Sequence, residues 1–475
     1  MRNLYRLGAV FVLPLLLCNA ALHAHAQDSA APMEKKEQES LYSTIRSFVG
    51  RWWNGSELFP DPCGSTPVQG VLCDVFDGLW YVTALSVGPV MENSLDCARD
   101  SHFPLQLFEL GHLRSLSVFS CFSDPARHPV AIPSKGWEKL SGSLESLEAR
   151  SNRGLTGEVP AAIGALNKLQ SLVLEENKLS GELPHELGEL SKLRRLVLSG
   201  NQFSGSVPAS LGSAMSELLI LDLSRNALKG LLPPAAGGLR SLEKLDLSSN
   251  LLGGVIPAAL GELRSLTLLD LRNNNFSGGG AAGSFGFLRG MAALQELLLS
   301  NNPLGGEIGS FPWASLENLS AVGLSNTFLG GEIPAAIAGL KGLRFLALDN
   351  NRLRGGVPPE LESLPAVGAL YLSRNNLSGR LQFSSEFYRR MGTRFAAWGN
   401  PNLCYAGGGG DDAPIGVQQC RGEQGLATDG DLGGGTSGLR ASAAVLSASS
   451  SFAGGGGGGA PWAASPAIFL AALLL

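Results

Sequence analysis

The sequence has no excess of positive charge and few histidines. Its 36 lysines and arginines are outnumbered by 41 aspartates and glutamates, so the formal net charge is −5. Nucleic-acid binding needs a basic surface, and we therefore expect no nucleic-acid partner. The histidines that follow the predicted leader lack the spacing of a metal site and of a catalytic base: His102, His112, His128 and His185. We expect no catalytic residue, no metal site and no cofactor.

Apolar runs long enough to cross a membrane are also missing. A membrane-spanning helix needs roughly 20 apolar residues, and the apolar stretch over residues 7–17 is shorter. This stretch follows two arginines and precedes a small-x-small sequence at residues 24–26. That order is typical of a secretory signal peptide, so we predict that residues 1–26 are removed before Gln27.

The C-terminal part is poor in aromatic residues and rich in glycine, alanine and serine. Residues 421–460 hold too little apolar surface to repay the entropy of ordering, so we predict a flexible spacer there. Residues 461–475 form a short hydrophobic tail that, behind small residues, has the form of a signal for a GPI lipid anchor. The candidate attachment residues are Ser449, Ser450 and Ser451. The alternative is a secreted protein whose tail is not cleaved.

One phrase, L-x-x-L-x-L-x-x-N-x-L-x-G-x-I-P, recurs through most of the chain, and its clearest copy starts at Leu242. The asparagine position returns after 24 or 25 residues, with one step of 28: Asn152, Asn177, Asn201, Asn226, Asn250, Asn274, Asn302, Thr327, Asn351 and Asn375. This period and this pattern are typical of a leucine-rich repeat. The second half of the phrase resembles the plant extracellular subtype of that repeat.

The repeat predicts an α/β fold, a leucine-rich-repeat solenoid over residues 98–383 with a curved, parallel β-sheet on its concave face. The leucines should point into the core and the residues between them toward solvent. Eleven or twelve strands spaced by about 4.8 Å would make a surface roughly 50 Å long. We interpret the recurring asparagine as structural, because its amide can bond backbone groups after each strand. Thr327 can replace only part of that bonding, which predicts a looser turn.

Both ends of a solenoid need a cover, because an end repeat has no neighbour on one side. Residues 27–97 resemble the N-terminal cap of plant leucine-rich-repeat ectodomains, with an amphipathic helix over residues 34–49 followed by Cys63 and Cys73. The loop between these cysteines is longer than in the common cap, and the usual tryptophan after the first cysteine is absent. Residues 384–420 resemble the C-terminal cap.

The cysteines and the glycosylation sequons both indicate an oxidising, secretory environment. Cys18 lies in the predicted leader, and the remaining six cysteines permit fifteen pairings, none of which the sequence alone excludes. We expect neighbours to pair, because this staples both ends: Cys63–Cys73, Cys97–Cys121 and Cys404–Cys420. N-glycosylation is predicted at four N-x-S sequons: Asn54, Asn275, Asn318 and Asn376.

Specific binding should depend on the variable strand residues of the concave face. Three aspartates follow one another at the position between the second and third leucines and could attract a basic peptide or a cation. L-D-L-S is also the commonest sequence at this place in the repeat, which favours a structural role for the three aspartates. The candidates are Glu175, Glu176, Arg194, Arg195, Asp222, Asp246, Asp270, Phe345 and Tyr371. A long mixed surface suits a protein or peptide ligand better than a small molecule, which needs an apolar pocket.

Residues 33–56 and 76–82 differ from the generic cap, and they resemble the plant Piriformospora indica-insensitive protein 2 family of leucine-rich-repeat surface proteins. The resemblance extends over about residues 33–420. It implies a protein of the plasma membrane or cell wall, without a kinase domain, that takes part in responses to microbes such as beneficial root fungi. Such a protein would act as a co-receptor that pairs with a membrane receptor kinase. The alternative is a secreted inhibitor of microbial cell-wall-degrading enzymes.

Overall fold

The computed structural model describes residues 31–89, 95–278, 285–406 and 413–420. The predicted signal peptide (1–26), spacer (421–460), hydrophobic tail (461–475) and attachment residues (Ser449, Ser450 and Ser451) lie outside these ranges. Within the ranges, no helix is both long and apolar enough to cross a bilayer. The same residues contain no group of three His, Cys, Asp or Glu side chains that could hold a metal ion.

The repeats build one long sheet, and this confirms the predicted leucine-rich-repeat solenoid. Its fourteen strands, numbered along the chain, are β1 (Val71–Phe76), β2 (Leu79–Val87), β3 (Ser115–Phe119), β5 (Ser146–Arg150), β7 (Ser171–Glu175), β9 (Arg195–Val197), β11 (Ile220–Asp222), β13 (Lys244–Asp246), β15 (Leu268–Asp270), β17 (Glu296–Leu298), β18 (Ala321–Gly323), β20 (Phe345–Ala347), β22 (Ala369–Tyr371) and β24 (Phe395–Ala396). The prediction of eleven or twelve strands was too low. Strand β1 pairs antiparallel with β2 in the cap, and β24 continues the sheet after the last repeat.

Shorter strands after the asparagines form a second row of three sheets. They are β4 (Val130–Ala131), β6 (Leu155–Gly157), β8 (Lys178–Glu182) and β10 (Gln202–Ser204); β12 (Lys229–Leu231), β14 (Leu251–Val255) and β16 (Asn275–Ser277); and β19 (Gly330–Glu332), β21 (Arg352–Gly355), β23 (Asn376–Leu381), β25 (Asn402–Tyr405) and β26 (Gln418–Gln419). The extra half of the repeat, L-x-G-x-I-P, therefore supplies strands of its own.

Short helices return the chain from this second row to the long sheet. The α-helices are α1 (Lys35–Val49), α2 (Gly55–Leu58), α3 (Leu211–Ala214) and α4 (Ser385–Met391). The 3-10 helices are Leu105–Glu109, Trp137–Leu140, Ala161–Ala165, His185–Glu189, Pro234–Gly238, Ala258–Glu262, Gly286–Gly290, Ile308–Ser310, Trp313–Ser315, Ala335–Gly339, Pro359–Ser363 and Gly392–Arg394. The proline of the I-P pair directly precedes several of them, as Pro257 does with φ −62°. Its ring holds φ near the helical value, which favours a helix start.

The leucines of the phrase fill a continuous core between the two rows of strands. In the clearest copy Leu242, Leu245 and Leu247 are all buried. Each buried leucine contributes about 1.5–3 kcal/mol relative to an exposed one. A repeat obtains this contribution only when a neighbour covers it, so the repeats stabilise one another.

The asparagine ladder ties each repeat to the one before it. The Asn250 amide nitrogen donates to the carbonyl oxygen of Leu223 in the preceding repeat (2.9 Å) and to those of Leu247 and Ser248 in its own repeat (3.1 and 3.3 Å). Its side-chain oxygen accepts from the backbone N–H of Leu228, again in the preceding repeat (3.0 Å). The asparagine is therefore a structural residue that satisfies buried backbone groups on both sides of the repeat boundary.

Thr327 makes only part of these bonds. Its hydroxyl donates to the carbonyl oxygen of Leu324 in its own repeat (2.7 Å) and lies 2.9 Å from the side-chain oxygen of Asn351 in the next. Among the described residues, the Thr327 side chain makes no bond to the preceding repeat. In that preceding repeat the backbone N–H of Leu304 donates instead to the backbone carbonyl oxygen of Asn302 (2.8 Å). The repeat boundary before Thr327 is thus held by fewer side-chain bonds.

The N-terminal cap covers the first repeats with α1. Its Leu41, Ile45 and Phe48 are fully buried. Glu37, also buried, accepts a hydrogen bond from the backbone N–H of Val82 (3.1 Å), and burial raises the pKa of its carboxyl. Helix α1 is thereby fixed to the first parallel strand, β2, as a cap must be.

The six described cysteines form three disulfide bonds, in the neighbour pairing expected from the sequence. They are Cys63–Cys73 and Cys97–Cys121 at the N-terminal end and Cys404–Cys420 at the C-terminal end. The last bond lies at strands β25 and β26, which extend the second row of strands beyond the last repeat. Each bond limits the freedom of the unfolded chain at an end of the solenoid, where neighbouring repeats contribute least.

Candidate ligand-binding face

Strand pairing places the variable residue of each repeat beside its equivalents in the neighbouring repeats. The residues between the second and third leucines are paired strand by strand in one column: Glu148, Val173, Val197, Asp222, Asp246, Asp270, Leu298, Gly323, Ala347 and Tyr371. Strands lie about 4.8 Å apart, so this column is continuous at the scale of side-chain contacts. We call the side of the long sheet that carries it the variable face.

The variable face is less open than simple alternation predicts. The expectation that all residues between the leucines face solvent was wrong for half of the column: Val173, Val197, Asp270, Gly323 and Ala347 are buried. Side chains of the adjacent strands lie only about 4.8 Å away on each side, and they cover much of each of these residues. The remaining members are partly exposed.

Ion pairs between repeats occupy the N-terminal part of the variable face. Arg150 contacts Glu148 (3.2 Å) and Glu175 (2.9 Å). Arg225 contacts Glu175 (3.8 Å) and Glu176 (3.3 Å). Two of the acidic candidates are thus paired with arginines of the same chain. These pairs are solvent-accessible, so each contributes roughly 0–1 kcal/mol and could exchange for a ligand's charge.

The three aspartates of the column differ in how well their charges are compensated. Asp270 is buried, and both of its oxygens accept from the Arg272 guanidinium. Lys244 lies 3.2 Å from Asp222 but 4.0 Å from Asp246. Burial, followed by the negative charges of Asp270 and Asp222, raises the pKa of Asp246 to about 6. Asp246 is therefore the aspartate at which a ligand cation would relieve most repulsion.

Arg194 and Arg195 have different surroundings. Arg194 precedes strand β9, is exposed and contacts Glu217 of the next repeat at 3.3 Å. Arg195 lies on the strand itself, between Ser171 and Ile220 of the adjacent strands. Its buried Nε has no hydrogen-bond partner among the described residues. Of the two, Arg195 is the one that the strand places on the variable face.

The C-terminal part of the variable face is apolar and built from small residues. Gly323 and Ala347 occupy the column, and Ala321 and Ala369 stand beside it, on either side of Phe345. The rings of Phe345 and Tyr371 make an edge-to-face contact, with 5.9 Å between their centroids. The two aromatic candidates are thus brought together at the end of a shallow apolar strip.

An aromatic cluster near the N-terminal edge strand escaped the sequence analysis. The His112 ring lies 4.1 Å from the Tyr81 ring and 4.5 Å from the Phe76 ring. The Arg114 guanidinium stands over Phe76 at 5.6 Å and contacts Asp74 at 3.6 Å. These residues meet because β1 and β2 form a hairpin. The sequence Asp77-Gly78 is a signal for such a hairpin, and both residues have positive φ (50° and 79°).

The four sequons lie at different depths. Asn275 and Asn376 begin strands β16 and β23 and are exposed. Asn318 is also exposed, and its amide donates to the carbonyl oxygen of Ala292 at 2.9 Å. Asn54, before α2, is half-buried. The geometry thus leaves Asn275 and Asn376 most open to modification.

Known proteins agree with this architecture. The "Leucine rich repeat" family model matches residues 142–203, 206–252 and 216–276, and a second model of that repeat matches residues 342–364. A curated relative from Arabidopsis thaliana, Piriformospora indica-insensitive protein 2, is 51% identical over 173 residues, which are 36% of this chain and 40% of that protein. The fold and the repeats define a leucine-rich-repeat protein. Over the shared 173 residues it is similar to Piriformospora indica-insensitive protein 2 of Arabidopsis thaliana.

Solved receptor structures have the same fold. The PEPR1 chain in its complex with AtPEP1 superposes with a TM-score of 0.63 at 26% identity, over 79% of this chain and 49% of that one. The ectodomain of the Arabidopsis receptor kinase HAESA, bound to an IDA peptide hormone ligand, gives a TM-score of 0.54 at 31% identity, over 64% and 48% of the two chains. The chain thus spans about half the length of these receptors, and less of its curated relative.

Proposed function

We propose that the variable face recognises a peptide or an extended segment of a protein. The observation that carries this proposal is the division of the face. Charged side chains predominate on it from Glu148 to Arg272, interrupted in the column by Val173 and Val197, whereas the column is apolar from Leu298 to Tyr371. Nine strand spacings of about 4.8 Å separate the ends of the column, so about a dozen extended residues could lie along it. Such a ligand would carry charge at one end and apolar side chains at the other.

A positive charge on the ligand would be most favourable at one place on the variable face. A lysine or arginine of the ligand would be most favourable beside Asp246, whose own lysine is mainly engaged by Asp222. Apolar ligand side chains would lie against the rings of Phe345 and Tyr371, which are partly exposed. The HAESA ectodomain, which has this fold, binds a peptide hormone, and this supports a peptide as the ligand class.

We further propose that the protein acts outside the cell as a co-receptor, in plant responses to microbes such as beneficial root fungi. Three disulfide bonds are typical of secreted domains, and the name of the similar Arabidopsis protein supports the connection to a root fungus. A GPI anchor at Ser449, Ser450 or Ser451 would hold the protein at the outer face of the plasma membrane, where it could pair with a receptor kinase.

Capture from root membranes tests the recognition surface. Full-length tagged protein would be expressed in plants, cross-linked and recovered together with its partners. We expect Tyr371→Ala and Asp246→Asn to reduce capture of the wild-type partners by at least several-fold. Lys178→Ala, an exposed substitution in the second row of strands, should not change it. Equal capture by all four proteins would refute the variable face as the site.

A second pair of measurements separates a co-receptor from an enzyme inhibitor. Release of the protein from membranes by a phosphatidylinositol-specific phospholipase would support the lipid anchor. The secreted alternative predicts a soluble wall protein that inhibits a microbial polygalacturonase. Inhibition without any captured receptor kinase would reverse our order of the two functions.

A further inference from the structure

A group of exposed apolar side chains interrupts the second row of strands. Leu231, Leu251 and Val255 are 67%, 63% and 48% exposed, which is unusual for residues of this size. Most other repeats carry a polar residue or glycine at these places in the phrase. The equivalents of Leu231 and Val255 include Glu158, Glu182, Ser206, Glu307 and Glu332. Those of Leu251 include Lys178, Gln202 and Arg352, although Ala227, Pro303 and Phe328 also stand at that place. We call these three side chains the apolar patch.

The apolar patch is contiguous across strands β12 and β14. Leu231 pairs with Gly253, and Leu251 and Val255 are two residues before and after that glycine. A Cβ added to Gly254 would overlap the Leu231 side chain, so Leu231 leans across β14. A contiguous exposed apolar patch of a few hundred Å² is often functional, because it is unfavourable in water unless something binds over it.

The next strand brings a glycosylation sequon to the edge of the patch. Gly253 also pairs with Asn275, the first residue of β16 and of the sequon Asn275-Phe276-Ser277. The Asn275 amide nitrogen lies 3.5 Å from the position that a Cβ on Gly253 would occupy. It makes no hydrogen bond to the described part of the chain, and the residue is exposed. The atom that would carry a glycan is therefore free and lies beside Gly253, the residue midway between Leu251 and Val255 on β14.

The size of the patch favours a sugar over a protein as its cover. Three such side chains expose on the order of 300 Å², whereas a stable protein interface takes roughly 800 Å² from each partner. The first sugar of an N-linked glycan is N-acetylglucosamine, which has an acetyl methyl group and a face of C–H bonds. One or two such sugars can cover an area of this size while their hydroxyls remain in water.

We propose that an N-linked glycan on Asn275 lies over Leu231, Leu251 and Val255 and shields them from water and from other copies of the chain. The glycine at position 253 leaves room for the first sugar, because a side chain there would stand between the glycan and the patch. This inference depends on passage through the secretory pathway and not on the ligand of the variable face.

A matched pair of sequons provides the test. The full chain would be expressed in a plant secretory host as wild type, Asn275→Gln and Asn376→Gln. Asn376 has the same place in its repeat, but it pairs with Arg354 instead of lying beside an apolar patch. Glycopeptide mass spectrometry would measure occupancy, and binding of an apolar fluorescent dye and light scattering would measure exposure of the patch and self-association.

We expect Asn275 to be occupied. Asn275→Gln should then raise dye fluorescence and self-association several-fold, while Asn376→Gln should not. Replacing the patch in the Asn275→Gln protein by the residue types of other repeats (Leu231→Glu, Leu251→Lys and Val255→Glu) should return both signals to the wild-type level. Trimming the glycan to its first sugar should preserve most of the shielding.

Two results would overturn the proposal. One is an unmodified Asn275 in protein whose other sequons are occupied. The other is full occupancy with no change in dye binding or self-association on Asn275→Gln, which would mean that the glycan points away from the patch. If no sequon is modified at all, the proposed secretory location fails together with this inference, whereas peptide capture by the variable face is measured separately.

Discussion

Removing one asparagine of the ladder tests how the repeats are held together. Asn250→Ala would remove the two amide protons shared by three carbonyl oxygens, and it would leave the buried N–H of Leu228 without its partner. The carbonyl oxygens of Leu223, Leu247 and Ser248 each keep another donor. Each lost bond costs about 1 kcal/mol, and the unsatisfied N–H of Leu228 raises this cost. We expect the free energy of unfolding to fall by about 3–4 kcal/mol.

Thr327→Ala is the matched comparison. This substitution removes one hydroxyl, whose single proton is shared between the carbonyl oxygen of Leu324 and the side-chain oxygen of Asn351. We therefore expect the free energy of unfolding to fall by only about 1–1.5 kcal/mol. Urea unfolding followed by tryptophan fluorescence and by far-ultraviolet circular dichroism measures both variants, and coincidence of the two signals checks for two-state behaviour. Equal destabilisation by the two substitutions, or less than about 1 kcal/mol for Asn250→Ala, would refute the structural role of the ladder.

Three further predictions concern the aspartate column, the cap and the disulfides. The pKa of Asp246 rises from 3.8 to about 6 on folding. The native state therefore binds the proton more tightly, and the free energy of unfolding should fall as the pH rises from about 4 to about 6. Asp246→Asn should remove this fall and add about 1–2 kcal/mol at pH 7.5, as measured by urea unfolding at pH 4, 5, 6 and 7.5. Leu41→Ala should destabilise the N-terminal cap by about 2–5 kcal/mol, because the side chain is fully buried, whereas Lys35→Ala at the exposed start of the same helix should cost less than about 0.5 kcal/mol. Cys404→Ser combined with Cys420→Ser should lower the free energy of unfolding by about 2–4 kcal/mol. Reduction of the wild type should lower it by more than this double substitution does, because it also breaks the two N-terminal bonds.

Much of the fold could be predicted because one period controls it. The spacing of Asn250 from Asn226 and Asn274 fixes which residues face the core, since the same strand, turn and short helix follow each asparagine. The register of the aspartate column followed from the same spacing, and so did the burial of the leucines. The cap helix was predicted at residues 34–49 and begins one residue later.

The prediction failed for features that depend on contacts between repeats or with the cap. Strand β1 was missed because it belongs to the cap and pairs antiparallel, so the repeat pattern does not include it. The burial of Val173 and Ala347 depends on how far the side chains of the adjacent strands cover them, which the pattern of leucines does not show. The apolar patch and its sequon become visible only when β12, β14 and β16 are aligned, because Leu231 lies 20 residues before Leu251 and Asn275 lies 20 residues after Val255.

The proposed ligand site was predictable as a surface but not as an arrangement of charges. The repeat pattern identified the aspartates and the aromatic pair. It could not show that Arg272 neutralises Asp270 while Lys244 stands closer to Asp222 than to Asp246. Those differences depend on side-chain positions between repeats, and they determine which carboxylate is available to a ligand.

Site-specific photo-cross-linking tests the recognition surface most directly. A photoreactive amino acid would replace Tyr371 on the variable face in one protein and Lys178 in the second row of strands in another, and each would be irradiated with root membranes. If the variable face binds the ligand, position 371 yields a discrete covalent adduct, Asp246→Asn weakens it, and position 178 yields none. Adducts of equal yield at both positions, or an adduct only at position 178, would contradict the proposed site.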